Sequence, residues 1–206
     1  MKVVIIGNGG HSKVISDVIR SSENINLIGY LDDKYRKLEK KSSYLFGPIS
    51  EAVNILEMDK ECKFIIGIGE NKTRQLIFEK LKLELNFYAT LIHPSAIIST
   101  SATIGSGTVI LPGAIVNAEA IVGNHSIINT GSIIEHDCII KDYVHVSPNA
   151  TLTGGVCLRE GVLIGASATI LPELEIGKWT KIGAGAAVIK SLPANCTAVG
   201  VPARII

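Results

Sequence analysis

From Ile92 onward an aliphatic residue fills every sixth position without a break, starting Ile92, Ile98, Ile104, Ile110 and Val116 and closing Ile176, Ile182 and Val188. Four residues after each comes a mostly small one, as at Ala96, Ala102, Ala114, Ala120 and Ala150. Glycine often follows the aliphatic position, at Gly105, Gly123, Gly165, Gly177 and Gly183. A period of six fits neither a helix nor an isolated amphipathic strand. It is the signature of a hexapeptide parallel β-helix, in which three hexapeptides make one triangular coil. The aliphatic residue should point into the prism and stack on its equivalent eighteen residues later. The small residue is expected near the corner, where space is tightest.

The first ninety residues follow another pattern. Lys2 to Ile6 is a short apolar run, then Gly7-Asn8-Gly9-Gly10-His11 leads into a helical stretch ending near Arg20. Leu27 to Leu31 is a second run closing on Asp32-Asp33, and Phe64 to Ile68 a third closing on Gly69-Glu70-Asn71. Ser50 to Leu56 and Lys72 to Leu83 suit helices, the latter capped by Asn71. Lys34 to Lys41 is charge-rich and mixed, and is expected to be a solvated loop. Strands alternating with helices predict βαβ units on a small parallel sheet. The division expected is residues 1–90 as an α/β domain and 91–206 as the β-helix domain, with no flexible linker between them.

The glycine turn invites a dinucleotide reading, with Asp32 about twenty residues on. The third fingerprint glycine is absent, since position 12 is Ser12, and ninety residues hold only one mononucleotide half. A glycine turn opening a helix still offers N–H groups to a phosphate; the plain alternative is a tight turn without a ligand.

Composition narrows the function classes. Lys plus Arg total 20 against 19 acids, a formal +1, which argues against counterion-driven nucleic-acid binding and against a polybasic membrane patch. Aromatics are only 5%, too few for a base-stacking platform. The opening apolar run is too short for a signal peptide or a membrane span. Cys62, Cys138, Cys157 and Cys196 show no metal-binding spacing and read as small buried side chains in a reducing compartment. A cytoplasmic protein without membrane insertion is expected.

Three of five histidines, His125, His136 and His145, fall within about one coil and so at similar height. Away from the aliphatic position, each is expected to point outward. In Ile134-Glu135-His136-Asp137-Cys138 an imidazole sits between carboxylates, an arrangement that orients a general base and stabilises its protonated form. The plain alternative is a solvated surface histidine. Zinc ligation by the three histidines is disfavoured, because their separations of 11 and 9 residues do not match the spacing of zinc-dependent hexapeptide enzymes.

The Gly9-Gly10-His11 turn, the Asp32-Asp33 pair and the Gly69-Glu70-Asn71 loop, ahead of a hexapeptide repeat, resemble the nucleotide-sugar N-acetyltransferases of bacterial glycan pathways. Within that group the resemblance is nearest to UDP-4-amino-sugar acetyltransferases of diacetylbacillosamine synthesis, and sialic acid O-acetyltransferases share the layout. The resemblance implies a left-handed β-helix, a homotrimer, and acetyl-CoA as co-substrate with no metal. It implies that Gly9, Gly10, His11, Asp32, Asp33 and Gly69 hold the nucleotide sugar. His136 would be the base, with Asp137 where the family usually has Glu, and Gly154 or Gly155 would offer an N–H to the oxyanion. Asn129, His145, Ala166 and Ala184 match acetyl-CoA positions, and the Gly200-Val201-Pro202-Ala203-Arg204 tail resembles a segment near the pantetheine arm. Two other readings stay open: O-acetylation of a sialic acid or other sugar hydroxyl, and a catalytically silent nucleotide-sugar-binding scaffold.

Overall fold

The computed structural model describes residues 1–206. Its N-terminal part is a five-stranded sheet built from β1 (Lys2–Ile6), β2 (Asn26–Leu31), β3 (Glu39–Lys41), β4 (Tyr44–Gly47) and β5 (Lys63–Ile66), in the order β3-β4-β2-β1-β5. All pairings are parallel except β3 on β4. Successive residues of β1 are buried on opposite faces, as expected when helices cover both sides of a parallel sheet. Val4 and Ile6 pack with α2 (Ala52–Met58) and α3 (Asn71–Leu81) through Ala52, Ile55, Ile77 and Leu81. Val3 and Ile5 pack with α1 (Gly10–Arg20) through Ile15, Val18 and Ile19. Gly29 lets β2 and β4 approach closely, since a Cβ there would lie 2.4 Å from the Leu45 carbonyl oxygen.

Two local expectations change. The charged stretch after Asp33 enters an antiparallel hairpin rather than staying a loop, with Glu39 paired to Lys37 and Lys41 along the exposed edge. The cap of α3 is Glu70, whose carboxylate accepts the Lys72 and Thr73 N–H groups. Asn71 is freed from capping and donates instead to the Gly161 and Val162 carbonyls, both 3.1 Å away.

The rest of the chain is a triangular prism of two-residue strands, each paired in parallel with the strand eighteen residues on. Face one contains Leu91–Ile92, Val109–Ile110, Ile127–Ile128, His145–Val146, Leu163–Ile164 and Lys181–Ile182, and is finished by Thr197–Val199 and Arg204–Ile205. Face two runs from Ile97–Ile98 to Ala187–Val188, and face three from Thr103–Ile104 to Glu175–Ile176. The hexapeptide aliphatics and the small residues four positions later fill one continuous core. Ala114, Ala120 and Ala150 are fully buried there.

Every corner from 107 to 185 turns through a residue of positive φ, six of them glycines and eight not, including His125, Asp137, Tyr143 and Trp179. A side chain in that region costs roughly 1 kcal/mol or more unless its surroundings hold it there. Face one is covered by α1, whose Ile15, Val18 and Ile19 meet Leu91, Val109, Leu111 and Ile127. The other two faces carry outward isoleucines with no cover, Ile97 on face two and Ile121 and Ile139 on face three among them. No helix is long and apolar enough to cross a membrane.

Candidate active site

His136 stands on the edge between faces two and three, just past the strand Ile133–Ile134. The following corner residue, Asp137, has φ of 60°, and that left-handed turn swings its carboxylate back onto the imidazole. The Nδ1–Oδ2 distance is 2.7 Å, with both side chains more than 60% exposed. A carboxylate only accepts, so Nδ1 carries the proton and Nε2 is left bare. The hydrogen bond that His136 donates to Asp137 raises its pKa above the ordinary value, with the charges of Asp137 and Glu135 adding to it. One coil on, Gly154 lies against the ring: a Cβ there would sit 2.6 Å from Cε1 and 2.7 Å from Nε2. The Gly155 N–H is taken by the His136 carbonyl at 3.0 Å, whereas the Gly154 N–H donates to nothing within the chain. The cleft here, about 260 Å³, is lined by His136, Asp137, Gly154, Gly155, Pro172 and Glu173.

Asp137→Asn should lower kcat by less than full loss of the imidazole does, since it removes only the charge favouring imidazolium. The sign of its pH effect follows from the direction of the His136 shift. A base raised by a carboxylate loses activity as pH falls through its pKa, so removing the charge moves the acidic limb of kcat/KM to lower pH. A limb that stays in place or moves upward would contradict the pairing.

A second cluster lies on face one. Gly7 through His11, Asp32 and Gly67 through Gly69 line a cleft of about 220 Å³ at the N-terminus of α1. An added Cβ at Gly9, Gly10 or Gly69 would meet nothing within 4 Å, so all three positions are open. Asp32 fastens the turn by accepting the Asn8 N–H at 2.8 Å and the Lys34 N–H at 3.0 Å. Asp33 is turned away from this cleft, toward the Ile49 N–H and Lys80. His11 has an unpartnered Nε2, and its ring centre is 6.5 Å from that of His145.

His145 is placed by its face-one strand, with Nδ1 3.3 Å from the Gly69 carbonyl and Nε2 3.0 Å from the Asn129 amide nitrogen. Asn129, Ala166 and Ala184 follow one another up the edge between faces one and two. Burial first, and the nearby Arg74 charge second, pull both His11 and His145 down to about 4, leaving them neutral at pH 7.

His125 points out of the prism as expected, but it does not reach solvent. It is 1% exposed, because the N-terminal sheet and α3 cover the corner it occupies. It is stacked on Tyr143 and boxed by Phe78 and Tyr88, with neither ring nitrogen hydrogen-bonded. The three histidines thus do not converge: one is buried in an aromatic box, one lies on face one, and one stands on the edge opposite face one. The packed interior of the prism separates His136 from the glycine cleft of its own chain.

An α/β unit seated on a hexapeptide prism, with an exposed histidine–carboxylate pair beside a free backbone N–H, defines an acyltransferase of the hexapeptide class. Comparison with known proteins narrows this. Residues 2–81 match the PglD N-terminal domain, and residues 119–154 match the bacterial transferase hexapeptide (six repeats). Over 107 residues the chain is 46% identical to a UDP-N-acetylbacillosamine N-acetyltransferase of Bacillus subtilis (strain 168). That stretch is 52% of this chain and spans only half the length of the relative. PerB from Caulobacter crescentus, solved in complex with CoA and GDP-perosamine, is 32% identical and superposes with a TM-score of 0.89, covering 100% of this chain and 97% of that one. The acetyltransferase domain of PglB from Neisseria gonorrhoeae, solved with acetyl coenzyme A, is 29% identical with a TM-score of 0.87, covering 100% and 98%. The chain belongs to the two-domain family of hexapeptide-repeat nucleotide-sugar acetyltransferases, and its prism is the left-handed parallel β-helix of that family.

Proposed function

We propose that this protein is an acetyl-CoA-dependent N-acetyltransferase acting on the amino group of a nucleotide-linked sugar, a UDP-4-amino-4,6-dideoxy sugar in bacterial glycan or exopolysaccharide synthesis. The observation that carries this reading is the His136 imidazole, with Nδ1 held by Asp137 and Nε2 bare above Gly154. The sugar amine attacks the thioester carbonyl, and the Gly154 N–H steadies the oxyanion that forms. His136 takes the proton released by the attacking nitrogen and returns it to the departing CoA thiolate. Aminolysis of a thioester needs little beyond proximity and proton removal, so neither a metal nor an acyl-enzyme enters.

The glycine cleft holds the nucleotide sugar, with the α1 N-terminus toward its phosphates. Acetyl-CoA lies along the edge bearing Asn129, Ala166 and Ala184, beside His145. Because the candidate base and the sugar cleft of one chain lie on opposite sides of the prism, a working site takes His136 from a second copy. The uncovered isoleucines of faces two and three supply surface for that contact, and cyclic closure gives a homotrimer. Light scattering at micromolar concentration should return three times the chain mass of 21.9 kDa, whereas 21.9 kDa itself would overturn the assembly. The expected location is the cytoplasm.

The direct test is thiol release from acetyl-CoA with a panel of UDP- and GDP-linked amino sugars and free sialic acids. Turnover with a nucleotide-linked amino sugar is expected. Turnover with sialic acid alone would make the enzyme an O-acetyltransferase, and thiol release with none would leave a binding scaffold.

A further inference from the structure

Arg74 projects from α3 into the seam between the two parts of the chain, where it is 1% exposed. It meets no carboxylate. Its Nε donates to the His125 carbonyl at 2.9 Å, and one terminal nitrogen to Tyr143 at 2.9 Å and Val144 at 3.3 Å, all on one prism edge. The other terminal nitrogen donates to Ile68 at 3.2 Å and Gly69 at 2.9 Å, in the loop lining the sugar cleft. Burying a guanidinium against neutral carbonyls is expensive, and an apolar side chain would hold a helix to a prism with less penalty. What an apolar residue does not supply is a rigid planar fork that fixes several carbonyls at once.

The Gly69 carbonyl held by Arg74 is the same one that receives His145 Nδ1. Two constraints then set the state of that imidazole. A carbonyl only accepts, so Nδ1 must carry the proton. Asn129 Oδ1 is occupied by the Thr130 N–H at 2.8 Å, so its amide nitrogen is the group facing His145 Nε2, which must therefore be the acceptor.

We propose that Arg74 is a positioning residue of the acetyl-transfer site: it clamps the Gly69 carbonyl between the sugar cleft and His145, locking His145 as the Nδ1–H tautomer that orients Asn129 on the acetyl-CoA edge. The contacts run unbroken from Arg74 through Gly69 and His145 to Asn129, and so join the two substrate sites of one chain. Arg74 on α3 and His11 on α1 are the charged or titratable groups facing His145, and both oppose its protonation, as burial does. This inference rests on the proposed function for the meaning of the two sites, though not for the tautomer.

The test has two arms on the full-length protein. In the wild type, nitrogen-15 NMR of labelled histidine, assigned with His145→Gln, should show His145 neutral and protonated on Nδ1 between about pH 6 and 8. A proton on Nε2, or a titration near the ordinary histidine value of about 6.5, would overturn the proposal. The second arm is Arg74→Lys, whose single ammonium does not reproduce the fork. KM for both acetyl-CoA and the nucleotide sugar should rise about tenfold, with kcat within about threefold of wild type. Unchanged KM values with a lowered melting temperature would make Arg74 only an interdomain fastener and overturn its positioning role. Should Arg74→Lys not fold, the wild-type spectrum decides alone. An enzyme inactive on every amino sugar would sink the proposed function and leave the spectrum to stand or fall separately.

Discussion

His136→Ala should lower kcat by roughly 10²–10⁴-fold, the usual contribution of a positioned proton acceptor, while the acetyl-CoA KM changes little. The separation follows from placement. The ring lies at an exposed corner against Gly154, away from the edge that carries Asn129, Ala166 and Ala184. Its exposure argues against a structural role, since it fills no part of the core and holds only Asp137. A stability defect would thus not explain a large loss, and unaltered thermal unfolding should accompany the fall in kcat. An alanine enzyme keeping more than about a tenth of wild-type kcat would eliminate His136 as the base.

The second large effect is complementation between inactive chains. Gly9 has extended backbone, with φ of −114°, and an added Cβ meets nothing within 4 Å. Gly9→Phe should therefore project a ring into the sugar cleft without straining the turn, and abolish turnover at ordinary sugar concentrations. Alone, Gly9→Phe and His136→Ala enzymes should each be nearly inactive. Co-expressed in equal amounts, random trimers would pair an intact cleft with a neighbour's intact His136 at about one quarter of the sites. Recovery of about a quarter of wild-type activity is the expected result. No recovery would mean that each site is built within one chain.

The prism was legible because its core repeats: seventeen aliphatics at one spacing leave little else for the chain to form. The β1–α1–β2 opening was legible for a similar reason, since each apolar run ends on turn residues. The β3–β4 hairpin was hidden by its own chemistry, as lysines and a glutamate on an exposed edge read as a loop while guarding that edge against pairing. Glu70 escaped notice because glutamate is an unusual cap and Asn71 beside it a common one.

The sequence singled out candidate residues, but not how they divide between the sides of the prism. That partition had a signal. His136 and His145 are nine residues apart, half of an eighteen-residue coil, so they had to stand on opposite sides of the prism. His125 obeyed the outward rule for its position and was still buried, because a separate part of the chain covers that corner. Nothing local marks Arg74, since arginine on a helix is ordinarily solvated. Its burial comes from contacts fifty to seventy residues away in sequence.

The uniform coil also makes the prism a ruler with a fixed graduation. Each coil adds one strand spacing, about 4.8 Å, so the three coils separating Asn129 from Ala184 give the edge proposed for acetyl-CoA a length of about 14 Å. Inserting or deleting eighteen residues in the upper coils would lengthen or shorten that edge by one graduation and keep every inward side chain inward. A change of six would preserve the hexapeptide pattern yet rotate every later strand by one face, carrying Ala166 and Ala184 off the edge that holds Asn129. Length changes above the His136 coil that keep this edge intact are therefore expected only in whole coils, even though the sequence repeat itself is three times finer.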